Sequence, residues 1–223
     1  GLGTTGNTTN PATVNAAGTI NTTDTRMDIG AVTLTADTTF DTGNAAAGIL
    51  NIGAVTSGSN ALTLDSGSTA LATMSLTSMV DASGGLTIRD AGGLATIGDI
   101  GSGTAGAVTI SDSTGGVTFN ANVDSTTFTI AKSLDAAAIT FSGATVDITT
   151  AFNPNIATGL AADTTSDAYS VTINTAAFNA AGDTNFLNKG TVTLGNDVND
   201  VLTFTGGLGT TGNTTNPATV NAA

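Results

Sequence analysis

The residues here that could do chemistry are almost all aspartates. The 223-residue chain has 17 acidic and 4 basic residues, a net charge of −13. Every acid is Asp, and the bases are Arg26, Arg89, Lys132 and Lys189. The aspartates gather in pairs at Asp24/Asp28, Asp37/Asp41, Asp163/Asp167 and Asp197/Asp200. Calcium is bound by hard oxygens from Asp, Asn and loop carbonyls. The turn-like run Gly195-Asn-Asp-Val-Asn-Asp200 concentrates those donors, so Asn196, Asp197 and Asp200 are the candidate calcium ligands. The plain alternative is a solvated acidic turn. No EF-hand loop is present, and Gly206-Gly-Leu-Gly-Thr210 has Thr where a GGxGxD calcium repeat needs Asp. No other cofactor is expected.

Paired carboxylates also serve sugar-cleaving enzymes. Sugar binding usually adds aromatic platforms, and the chain has no Trp and a single Tyr, Tyr169. His, Cys, Glu and Gln are absent. This excludes disulfides, Cys/His zinc sites and Ser-His or Cys-His dyads. The expectation is a protein that is not an enzyme. Gly1-Leu-Gly-Thr-Thr-Gly6 matches GxGxxG, but a dinucleotide site also needs a helix to follow, and no helical pattern does. Four cations and a charge of −13 argue against nucleic acid as a partner. No apolar run approaches the ~18 residues of a membrane span. Asn7, Asn21 and Asn213 each begin an Asn-Thr-Thr sequon, available to a glycosylating host.

The elements that must position these residues are marked by repetition. Residues 1–17 read GLGTTGNTTNPATVNAA, and residues 207–223 repeat them at all 17 positions with an offset of 206. The reading is a tandem array: 1–206 is one complete repeat and 207–223 starts the next. A chain that opens on Gly1 is then expected to be a window on a longer protein. Further copies of the repeat, in the same or neighbouring chains, are the expected partners.

A smaller rhythm runs inside the repeat. Apolar–Thr–apolar phrases recur at Ala31-Val-Thr-Leu-Thr35, Ala61-Leu-Thr-Leu64, Gly85-Leu-Thr-Ile88, Ala107-Val-Thr-Ile110 and Gly116-Val-Thr-Phe119. They continue at Thr127-Phe-Thr-Ile130, Ala138-Ile-Thr-Phe141, Thr145-Val-Asp-Ile148, Ser170-Val-Thr-Ile173, Thr191-Val-Thr-Leu194 and Val201-Leu-Thr-Phe204. Alternation with period two is a half-buried strand, apolar side inward. Phe119, Phe128, Phe141 and Phe204 are expected in the core. Asn-Gly and Asp-Gly, the dipeptides of tight antiparallel hairpins, do not occur. Strand centres lie about 20–25 residues apart, a solenoid coil length. The expected fold is all-β: a parallel β-solenoid (β-helix) of about nine or ten coils per 206-residue repeat. The rival is tandem β-sandwich modules of about 100 residues each. Residues 1–30 and 151–190 are less periodic, and 151–163 and 179–189 are candidates to bulge from the stack.

The phrases GGLTI, AVTIS and GTVTLG resemble the strand repeats of filamentous-haemagglutinin-like and autotransporter-type bacterial surface proteins. The resemblance covers most of residues 28–206 and carries no signature residues. It implies a right-handed parallel β-helix in an extracellular, cell-surface adhesin, stalk or fibre. The expected function is therefore a structural repeat of a long extracellular filament, sheath or stalk. The alternative is an adhesin module that recognises glycans or another cell surface.

Overall fold

The computed structural model describes residues 2–3, 13–45, 48–130, 137–153, 169–186, 188, 190–209 and 219–222. Strand after strand in this region pairs in parallel with the strand one coil further on. The fold is a parallel β-solenoid, the architecture the period-two phrases and coil-length spacing lead one to expect. Each coil lays down three short passes, which build three ladders.

Face 1 carries the register Leu2, Met27, Leu50, Met74, Ala95, Val117, Ile139, Val171, Val192 and Val220. Face 2 carries Val14, Val32, Val55, Met79, Ile100, Val123, Val146, Phe178 and Leu202. Face 3 carries Gly18, Thr38, Leu62, Leu86, Val108, Phe128 and Phe152. Beyond Phe152 this side is completed by Thr184–Asn185, which lies against the strand Thr145–Asn153 and pairs with Leu208–Gly209 as a separate two-stranded sheet. Met27 to Val192 spans about seven turns of regular coil. Leu2–Gly3 and Thr219–Ala222 add one rung at either end. The expectation of nine or ten coils is therefore approximate.

Successive rungs of face 1 between Met27 and Val192 are 23, 24, 21, 22, 22, 32 and 21 residues apart. The long turn, from Ile139 to Val171, encloses residues 154–168, which lie outside the described residues. Several strands are long enough to turn a corner and serve two faces. Val14–Asn21 and Val123–Ile130 do this with a register shift at the bend, the signature of a bulge that redirects a strand.

Alternation along each pass decides what is buried. In Leu62–Gly67 and Leu86–Ala91 the leucines and Ile88 point inward, while Thr63 and Thr87 sit half-buried on the outer side. Each inward Val, Ile, Leu or Phe contributes roughly 1.5–3 kcal/mol by leaving water. The outer residues stack as well. Thr39, Thr63, Thr87, Thr109 and Thr129 occupy successive coils of face 3. Thr96, Thr118, Thr140, Thr172 and Thr193 do the same on face 1. Phe119, Phe128 and Phe141 are in the core as expected, and Phe204 packs against it half-buried.

Corners need backbone with nothing on it. A Cβ on Gly98 would stand 1.9 Å from the Thr77 carbonyl oxygen, and one on Gly106 would stand 1.7 Å from that of Ala82. The adjacent coil occupies that space, so only glycine fits. Small buried hydroxyls satisfy corner carbonyls: Ser66 donates to Ala72 O at 2.8 Å and Ser113 to Ala91 O at 3.0 Å.

Candidate functional site

The proposed calcium ligands form a closed, exposed turn between Thr191–Leu194 on face 1 and Val201–Phe204 on face 2. Asp200 Oδ2 accepts the backbone N–H groups of Asn196 (2.8 Å) and Asp197 (3.1 Å). Asp197 Oδ1 accepts the Asn199 backbone N–H at 2.9 Å and its side-chain amide at 2.6 Å. The two bonds from Asn199 hold the Asp197 carboxyl below the usual carboxylate range. Both carboxylates thus have an oxygen engaged in fastening the turn. Among the described residues, no three carboxylates gather as a metal cluster.

The other aspartate pairs are separated by the coil. Asp24 takes a left-handed conformation (φ 55°), and its Oδ1 accepts the backbone N–H groups of Asn44 (2.8 Å) and Ala45 (3.0 Å) on the next coil. Asp37 Oδ1 accepts the Ala61 N–H at 2.8 Å, again one coil on. Asp28 and Asp41 instead join outer ladders. Asp28 bonds Arg26, and its Oδ1 accepts from Asn51 Nδ2 at 2.7 Å. Asn51 Oδ1 in turn accepts from Ser75 Oγ at 2.8 Å, extending the chain over three coils. The Arg26 hydrogen bond, followed by that from Asn51, outweighs burial and lowers the Asp28 pKa. Asp163 and Asp167 lie outside the described residues.

The sequence reading missed the arginine clamp. Arg89 reaches back to Asp65 through Nε and to Asp41 at 3.0 Å through a terminal nitrogen. The three residues are 24 positions apart in each step, the length of a coil. A spacing of charge at multiples of the coil length was the signal that could have revealed it.

Face 2 carries the opposite arrangement. Asp124 and Asp147 are in register on adjacent coils. Partial burial first, then the charges of Asp147 and Asp99, raise the Asp124 pKa. Asp147 is relieved from its other side, where Asn179 Nδ2 donates at 2.8 Å.

Three shallow hollows lie among the described residues, of about 270, 380 and 210 Å³ beside Asp183, Asp99 and Asp28, respectively. All are open to solvent and floored in part by glycine backbone. Of the GxGxxG segment, Leu2 and Gly3 are described, and they form a ladder rung. Among the described residues the only helical piece is the single turn Ala82–Gly84, so the dinucleotide reading has no support. Asn21 is exposed at the end of its strand; Asn7 and Asn213 lie outside the described residues. No helix among the described residues is long and apolar enough to cross a membrane.

These features define a class by shape: a three-sided parallel β-solenoid with outer polar ladders and an acidic surface. No family model, curated protein or solved structure matches the chain.

Proposed function

We propose that the chain is a structural repeat of a long fibrous array, whose work is to span distance as a rigid filament, sheath or stalk at the cell surface. The observation that carries this reading is the pairing of both copies of the repeated segment. Leu2–Gly3 and Thr219–Ala222 are hydrogen-bonded into the face 1 ladder, and Leu208–Gly209 pairs with Thr184–Asn185 of the preceding coil in a short two-stranded sheet of its own. A solenoid grows by adding coils, and a further copy covers the open strand edge that the previous one leaves. Rigidity comes from the ladders and continuous core; the charge of −13 keeps fibres apart at low salt.

Electron micrographs of chains with one, two and three copies test this. Rod length should grow by about 42 Å per copy, taking ~4.8 Å for each coil. A string of separated beads, one or two per copy, would contradict it.

A further inference from the structure

The two identical segments do not sit on the same face. Leu2–Gly3 is a rung of face 1, paired with Met27–Asp28 of the following coil. Leu208–Gly209, its copy, lies on the third side, after Val201–Phe204 of face 2, and pairs with Thr184–Asn185 of the preceding coil in a short sheet of its own. The second anchor shifts in the same way. Val14–Ala16 lies on face 2 and pairs forward with Val32–Leu34. Its copy, residues 220–222, lies on face 1 and pairs back to Val192–Leu194. The chain visits the faces in the order 1, 2, 3, so both anchors of the second copy fall one face behind those of the first.

We infer that the C-terminal end of the repeat is a seat for the start of the following copy, one face out of step. A tandem array is then one continuous solenoid in which each copy is turned by one face relative to the last. This rests on the structural-array reading above.

Two features of the registers make the join coherent. First, a parallel strand has two edges, and the two copies use opposite ones. The first segment is bonded through the edge facing the next coil, the second through the edge facing the previous coil. Nothing prevents one segment in mid-array from using both. Second, at the second anchor the shift preserves residue type along the register. The face 1 column already runs Val171, Val192, Val220. Because Val14 pairs with Val32, the next residue in that column would be the following copy's equivalent of Val32. The next register position runs Thr172, Thr193, Asn221 and would continue with the equivalent of Thr33. A slip of one residue would instead exchange inward and outward sets. A shift of one whole face keeps valine in register with valine at this anchor, whereas at the first anchor Leu208 follows the buried Thr184.

The count of turns follows. Leu2 is on the first rung of face 1 and Leu208 on the ninth pass of the third side, so 206 residues make eight turns and two further faces. Three copies make 26 whole turns and restore the starting face after about 125 Å at ~4.8 Å per coil. A feature present once per copy, such as exposed Leu71 or Val198, would then appear on each side of the fibre in rotation. Copies of the fibre would meet one another equally on all three sides.

The test uses a chain of three copies followed by residues 207–223, with Leu71→Cys in each copy. The chain has no other cysteine, and Leu71 is 70% exposed, so a maleimide-linked gold cluster marks one point per copy. Cryo-electron reconstruction should find the three labels about 42 Å apart along the rod, each on a different side. Reconstruction of the unlabelled chain should show the same three-copy period. Labels aligned along one side would overturn the face shift while leaving the continuous array intact. Labels on separate, hinged rods would overturn the array and the shift with it.

Discussion

The early coils, roughly residues 27–110, and the later ones, 117–204, have the same backbone path but are held differently. The early core is aliphatic and methionine-rich, with Phe40 as its one phenylalanine. The later core is threaded by Phe119, Phe128, Phe141, Phe152, Phe178, Phe186 and Phe204, with neighbouring ring centroids 5.1–6.4 Å apart and most pairs edge-to-face. Outside, the contrast concerns charge. The early coils pair their carboxylates with Arg26 and Arg89. The later ladder stacks Asp124 on Asp147 without a cation in register. A coil of this kind constrains where a side chain points and how much volume it fills. It leaves open whether rings or methyls fill the core and whether the outer ladder is ionic or amide-linked.

The largest expected effect breaks the later half. Phe141 touches four other rings, those of Phe119, Phe128, Phe152 and Phe178. Phe141→Ala should cost about 3–5 kcal/mol, read as a lower urea midpoint by circular dichroism. Hydrogen exchange should rise in residues 117–180 before it rises in 27–110. Equal loss of protection in both halves would show that the core is one cooperative unit.

Gly106→Ala probes the early half through its backbone. The added Cβ meets a carbonyl oxygen that cannot swing aside, and a loss of about 1–3 kcal/mol is expected, the scale of overpacking. A neutral result would mean that the corner can open without disturbing the ladders.

Acid should act on the halves with opposite sign. Asp28 has a folded pKa below its ordinary 3.8. Its contribution is full above that value and is lost as pH falls through it toward the depressed one. Asp124 has a raised folded pKa, so its charge opposes folding at neutral pH. That penalty disappears as pH falls through the raised value. The protection factors of amides around residues 123–148, exchange rates corrected for the intrinsic pH dependence, should therefore rise as pH falls through that raised value. Protection factors around residues 27–52 should fall only at lower pH, as it passes from the ordinary Asp28 value toward the depressed one. Parallel trends in both regions would refute the assignment.

The smallest effect sharpens the same point. Asp124→Asn removes one of two like charges in register and should stabilise the later coils by about 0.5 kcal/mol, the scale of a cross-strand pair. Asp28→Asn should move stability the other way at neutral pH. A destabilised Asp124→Asn variant would show that the carboxylate has a partner worth more than the repulsion.

The solenoid was legible because Thr between two apolar residues has a period no helix shares. The three faces were less so. Face 1 replaces Thr by Asp28, Asn51 and Ser75 in its early coils, which hides the phrase that marks the later ones. The recognised phrases also belong to different ladders: 85–88 lies on face 3, 116–119 on face 1 and 201–204 on face 2. Spacings measured between them mix whole coils with fractions of one. The aspartate pairs misled for a related reason. Neighbours such as Asp24 and Asp28 look like a site in sequence, yet their partners lie about 20–24 residues away on the next coil. The calcium candidates Asn196, Asp197 and Asp200 are genuinely local, and the turn they form is fastened by their own hydrogen bonds.

The central claim is that coils continue unbroken from one copy to the next. Fibre diffraction from aligned multi-copy chains measures this directly. The account predicts a sharp meridional reflection near 4.8 Å with layer lines indexing on about 125 Å. Diffraction with no meridional intensity near 4.8 Å would mean that strands do not stack along the fibre, and would contradict it.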